Sequence, residues 1–272
     1  MGKYNISPDL NPFEDVILYE DEDHKVIYLG TYASTRDWHE THKKNIKKTK
    51  AGEVDVLSYL IVNKDEGFIV DPGGYNIFPR LVTNISKYLD LDKIKYIYMC
   101  HQDPDVCASI PMWKDVTPKA KILIGQIWVR FIPHFGVLDF EDVCIPIPPQ
   151  GMEVELGFNK LQILPAHYMH SPNHFSIYDP ISKFLFTGDI GIAVLPDPPY
   201  LVVSDWINHM QLMKPVHEIL MVSNKVCRHW VERMRKLDIE AILPQHGAII
   251  SKEHIEKFFR FLESLKCGID LI

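Results

Sequence analysis

Four times along this chain an apolar run that reads as a β-strand stops at a short polar segment rich in metal-ligand side chains. The segments are MCHQDPDVC, LPAHYMHSPNHF, LFTGDI and ILPQHG, and they carry His101, Asp103, Asp105, His170, Asp189 and His246. The first holds three of these residues in an H-x-D-x-D spacing. A solvated loop explains any one segment by itself, but it does not explain four in a row. A fold that collects strand ends at one edge of a sheet would bring all six side chains together. Three imidazoles and three carboxylates are enough to fill two adjacent metal centres, with one carboxylate shared.

The remaining composition narrows the classes of function. The 272 residues are 46% hydrophobic, enough to bury a large core as a single domain over residues 1–272. A net charge of −7 gives no general electrostatic case for nucleic acid. The one basic stretch, His42 to Lys50, reads as a solvated loop or helix face. No apolar stretch approaches the ~20 residues needed to span a bilayer, and the amino terminus lacks the apolar core of a signal peptide. Neither nucleic acid nor a membrane is therefore expected as a partner. The five cysteines include no C-x-x-C pair, which points to reduced thiols and a cytoplasmic location. Cys100 and Cys107 flank the first ligand cluster and read as small buried residues, since a soft thiolate fits poorly among hard carboxylates.

Strands and helices alternate. KVIYLG, DVLSYLIVN and GFIVDPG are rich in β-branched and aromatic residues, and turn residues between the second and third predict a hairpin. Helices are predicted over Pro79–Leu89, over about Pro104–Val116 and through most of Val203–Leu237. In the last of these, Val226, Trp230, Met234 and Leu237 form a core stripe. Ser251 is positioned to cap a final helix with Ile255, Phe258, Phe259, Leu262 and Leu265 on its apolar face. The proline-rich run from Pro196 to Tyr200 reads as a rigid loop and a wall of the site.

This order of motifs resembles the metallo-β-lactamase superfamily over nearly the whole chain. SYLIVNKDEGFIVDPGG looks like its opening hairpin, with Asp71 the aspartate that supports a ligand from behind; HQDPDV stands where H-x-H-x-D-H is usual. HSPNHFSIYD, TGD and PQHG supply His170, the bridging Asp189 and His246. The resemblance implies an α/β fold, an αββα sandwich of two mixed β-sheets flanked by helices. The departures from the zinc-hydrolase pattern are Asp103 for the second histidine and Val106 for the last. They exchange two imidazoles for one carboxylate, and this harder donor set favours iron or manganese over zinc. A carboxylate at this position marks the flavodiiron proteins, whose pattern is H-x-E-x-D; here the shorter Asp103 replaces the glutamate.

Carried over residue by residue, the resemblance implies one iron on His101, Asp103 and His170, a second on Asp105 and His246, and Asp189 between them. Two Fe ions with an oxo, hydroxo or peroxo bridge are thus the expected cofactor, Mn or Zn the alternatives. His174, His167 and Tyr178 are candidates to line the pocket, with His134 and Tyr168 behind them. Flavodiiron reductases also carry a flavodoxin domain, of which no phosphate-binding loop is visible here. The combination is similar to the stand-alone oxygen-binding diiron proteins. That likeness implies dioxygen as ligand, a homodimer, and an oxygen sensor linked to bacterial chemotaxis, with a chemoreceptor as partner. Two other readings stay open: a metal-dependent hydrolase using metal-bound hydroxide, and an oxygen or NO reductase component fed by a separate flavoprotein or rubredoxin as external electron donor.

Overall fold

The computed structural model of the protein describes residues 2–32 and 55–272, so the basic stretch His42 to Lys50 lies outside the described residues. Strand alternation explains the layering. In β3 (His24–Leu29), Val26 and Tyr28 enter one apolar cluster while Ile27 and Leu29 enter another. The hairpin strand β4 (Tyr59–Asn63) repeats this, with Tyr59 and Ile61 on one face and Leu60 and Val62 on the other. In β12 (Phe184–Gly188), Phe184 and Phe186 share the first cluster, whereas Leu185 belongs to a third. Strands apolar on both faces must be covered on both. The chain therefore stacks four layers, helix, sheet, sheet and helix, with the aromatic-rich cluster between the sheets.

The first sheet has eight strands in sequential order, β1 (Lys3–Tyr4), β2 (Asp15–Glu20), β3, β4, β5 (Glu66–Val70), β6 (Ile94–Tyr98), β7 (Lys121–Gly125) and β8 (Cys144–Ile147). Pairing is antiparallel to β5 and parallel from β5 to β8. The second sheet has six, β9 (Met152–Leu156), β10 (Asn159–Pro165), β11 (Phe175–Asp179), β12, β13 (Ala241–Pro244) and β14 (Ile250–Ser251), with only β12 and β13 parallel. Both sheets are mixed, as the fold resemblance implies. Helix α1 (Phe78–Ile85) and Trp113 cover the outer face of the first sheet through Leu81 and Ile85.

Four helix expectations need adjustment, the first being the helix predicted over Pro79–Leu89, which starts at Phe78 and ends at Ile85. The predicted Pro104–Val116 helix is two pieces, α2 (Pro104–Cys107) and α3 (Ile110–Val116). Pro111 has no N–H to continue the ladder, and at the break Ser109 Oγ donates to Gly73 O at 2.6 Å, with Pro72 O 2.9 Å away. Beyond the short α4 (Phe140–Val143), the helical span after Val203 is also double, α5 (Trp206–Leu220) and α6 (Asn224–Met234). On α6, Cys227 and Val231 are buried beside Trp230 and Met234, while Val226 and Leu237 are only partly covered. Ser251 does precede α7 (Lys252–Ser264), but its side chain makes no cap hydrogen bond. The apolar face of α7 is as expected, with Ile255, Phe258, Phe259 and Leu262 buried.

Helix α5 meets the site through His217. Its Nδ1 donates to Met213 O at 2.9 Å and its Nε2 accepts from the Gly191 N–H at 3.1 Å, so the fold requires the neutral ring. Burial pushes its pKa down to about 4. The unfolded chain then binds more protons between the ordinary histidine value and that one, so stability falls as pH drops through this window. The loss is about 3 kcal/mol by the bottom of it. Denaturant titrations from pH 7 to pH 4 check this: His217→Asn should flatten that part of the profile, and an unchanged slope would remove His217 as its source.

Candidate metal centre

The six ligand-type residues meet where strands end. His101, Asp103 and Asp105 follow β6, with Asp103 just before α2 and Asp105 in its first turn. His170 stands in the loop from β10 to β11. Asp189 follows β12 and His246 follows β13, and because those strands run parallel the two side chains emerge at the same end of the sheet. Gly188, immediately before Asp189, has φ +56°, and a Cβ there would lie 2.4 Å from His174 Nε2 and 2.7 Å from Cys100 Sγ. Only glycine allows that turn so close to the site.

The side chains form two groups around one carboxylate. Asp103 Oδ2 lies 3.3 Å from His101 Nε2 and 3.1 Å from His170 Nε2. Asp105 Oδ2 lies 3.1 Å from His246 Nε2. Between them Asp189 offers Oδ2 to His170 Nε2 at 3.5 Å, and Oδ1 to His246 Nε2 at 3.6 Å and to His101 Nε2 at 3.7 Å. The electrostatics follow. Burial works against charge on His246, but Asp189 and Asp105 outweigh it and hold its pKa up at about 9. His101 is raised in the same way, by Asp189 and Asp103 against burial. The adjacent imidazoles of His101 and His170 hold Asp103 well below the usual carboxylate range. Two buried atoms, His101 Nε2 and Asp189 Oδ1, face each other with no hydrogen-bond partner. Orphaned donor atoms of this kind, converging within coordination reach, fit metal ions.

Of the pocket candidates, the structure gathers one. The ring of His174 is fully buried, 5.2 Å from that of His101 and 6.3 Å from that of His170. Burial, then the two neighbouring imidazoles, pushes its pKa well down, so it stays neutral. Tyr178 does not serve: its hydroxyl donates its single proton to Asp238 O at 2.9 Å. His167 is bonded to Pro149 O at 2.7 Å and lines a cleft with Trp230 and Arg233 that none of the six residues enters. Tyr168 is exposed on the same cleft, and His134 lies in the turn Val129–Phe135 against Phe131. Pro196 and Tyr200 line a different cleft, with Asp205 and Asn208, also apart from the six. Val106 is fully buried in the cluster between the sheets and adds no donor.

Residues not singled out beforehand hold the candidate ligands in place. Gln102 Nε2 donates to Asp103 Oδ1 at 2.9 Å, and its Oε1 accepts from Ser171 Oγ at 2.6 Å, tying Asp103 to the loop of His170. The signal was their adjacency to ligands in HQD and HSP. Asp71, expected to support a ligand, accepts the Cys100 N–H at 2.9 Å and so fixes the backbone entering His101. Burial raises its pKa to about 6.

The fold and this paired donor set define a metallo-β-lactamase-like protein with a two-metal type of site. The family described as ODP family beta lactamase matches residues 54–247, and the chain belongs to that family. It is 40% identical to the chemotaxis sensor ODP from T. denticola in its apo state, covering 94% of this chain and 97% of that one, with a TM-score of 0.79. A structure of a peroxy diiron species of the chemotaxis sensor ODP matches with the same identity, coverage and TM-score. Among curated relatives, an uncharacterized protein of Methanocaldococcus jannaschii is 25% identical over 203 residues, 74% of this chain and 50% of that protein. A flavo-diiron protein of Clostridium acetobutylicum is 23% identical over 215 residues, 76% of this chain and 52% of its own length. The chain thus spans about half the length of these curated relatives.

Proposed function

We propose that this protein holds two iron ions and binds dioxygen at them as an oxygen sensor. The observation that carries the reading is Asp189, whose carboxylate lies between the two imidazole–carboxylate groups, Oδ2 3.5 Å from His170 and Oδ1 3.7 Å from His101 and 3.6 Å from His246. His101, Asp103 and His170 would hold one ion, Asp105 and His246 the other, and Asp189 both. When bound in the ferrous state, the pair supplies the electrons that dioxygen takes up on binding. The protein's own share is positional. Asp103 and Asp105 lend negative charge that favours the higher oxidation state. The Asp105–His246 group contributes fewer protein donors, because Val106 offers none, and so leaves room for a ligand. Buried, neutral His174 keeps a further charge away from His101 and His170.

The membership of the ODP family and the likeness to a chemotaxis sensor support a signalling role, with a chemoreceptor as partner. A homodimer belongs to the same proposal, as does a reducing cytoplasm, with which five free thiols agree. Among the described residues no helix is long and apolar enough to cross a membrane. The test is anaerobic loading with Fe(II), then absorbance on exposure to air with no reductase present. A new visible charge-transfer band that persists is expected. Silence toward oxygen, together with hydrolysis of a generic ester by the zinc-loaded protein, would overturn the reading in favour of a hydrolase.

A further inference from the structure

Each of two ligand histidines is preceded by a buried polar residue whose side chain turns behind the site. Cys100 precedes His101 and Gln245 precedes His246, and each is 1% exposed. Cys100 Sγ lies 2.9 Å from His101 Nδ1 and 3.5 Å from Gln245 Oε1. Gln245 Nε2 in turn lies 3.3 Å from Asp105 Oδ2. The proton count admits one consistent direction. A neutral His101 with Nε2 facing the centre carries its ring hydrogen on Nδ1, which donates to the sulfur. The thiol then gives its own proton to the amide oxygen, and the amide N–H donates to the carboxylate.

We propose that Cys100 and Gln245 form a hydrogen-bonded strut that orients His101 and Asp105 together, so that ligands of the two metal groups are set as one unit. This rests on the dinuclear reading above. The strut links residues from the ends of different strands, β6 and β13. The Gln245 backbone is held independently, its N–H donating to Gly188 O at 2.8 Å and its carbonyl accepting from Leu57 at 2.6 Å. Trimming the Gln245 side chain therefore leaves the path of the chain in place. In this arrangement the sulfur serves as a hydrogen-bonding link between the His101 ring and the Gln245 amide. Outer partners of ligating histidines are ordinarily carboxylates or backbone carbonyls, and their loss costs about 10- to 100-fold in metal affinity. Here a thiol and an amide carry that role across both groups.

Zinc serves as the diamagnetic probe. With histidine-labelled protein, wild type should bind two zinc ions and show a His101 Nδ1–H resonance protected from solvent exchange. Cys100→Ala should lose that protection, and Cys100→Ser should restore it. Cys100→Ala and Gln245→Leu should each weaken both zinc-binding steps by about 10- to 100-fold. The double variant should lose little more than the worse single one. Unchanged Nδ1–H protection in Cys100→Ala, or losses that are additive and confined to one binding step each, would overturn the strut while leaving the dinuclear site standing. Failure of wild type to bind two zinc ions would overturn the dinuclear reading and the strut with it.

Discussion

Replacing Asp189 with asparagine should reduce metal loading from two ions per chain to one at most, with the fold retained. Its carboxylate lies near imidazoles of both groups, with His170 and His101 of the first at 3.5 and 3.7 Å and His246 of the second at 3.6 Å. An amide keeps the shape but offers one neutral oxygen and an N–H pair, so it cannot bridge two cations. It also removes a charge that Asp103 and Asp105 cannot replace, because each is already turned to its own histidines. Asp189 stands in a turn whose backbone bonds, Ile192 N to Asp189 O at 3.1 Å and Ile190 N to Thr187 O at 3.2 Å, do not use the carboxylate. Metal analysis and circular dichroism on the same sample separate the two effects. Two ions per chain in the variant would refute the bridging role.

The largest stability effect is expected far from the ligands. Between the sheets, His24 Nε2 on β3 and Asp179 Oδ2 at the end of β11 are 2.7 Å apart, and both side chains are fully buried. Asn63 Nδ2 lies 3.1 Å from His24 Nδ1, while Asn159 Nδ2 donates to Asp179 Oδ1 at 2.8 Å. Ser182 Oγ and the Ile181 N–H also donate to Asp179. Asp179→Ala would leave His24 buried without its counterpart, which costs about 3–5 kcal/mol. For a chain of this size that corresponds to a fall in Tm of roughly 10 °C. The same pair contributes acid sensitivity. Burial opposes ionisation of Asp179, but His24, Ser182 and Asn159 outweigh it and hold its carboxyl below the ordinary value. Its contribution is therefore present above the unfolded carboxylate pKa and is lost as pH falls through the folded one. Thermal melts of Asp179→Ala with and without metal check the expectation; a shift of a degree or less would mean that the pair contributes little.

The contrast between these sites shows what is legible in a sequence. The six candidate ligands stand in short motifs at strand ends, and each strand is apolar enough to be recognised, so their convergence follows from the fold. Strands buried on both faces, such as β4 and β12, read clearly for the same reason. Edge strands did not. β9 alternates polar and apolar residues but over only five positions between turns, and β1 has only two residues and no period at all. The break between α2 and α3 was visible as Pro111 but was overridden by the apolar pattern around it. His24 and Asp179 gave no signal, because each is a lone polar residue whose partner is 155 positions away. Cys100 was rightly read as buried, yet its link to Gln245 depends on a contact between segments 145 residues apart that no local pattern encodes.

The most direct measurement is anomalous scattering at the iron edge from crystals grown after anaerobic loading with Fe(II). The account predicts two peaks per chain, one among His101, Asp103 and His170 and one between Asp105 and His246, with Asp189 reaching both. A single peak, or two peaks without Asp189 between them, would contradict it.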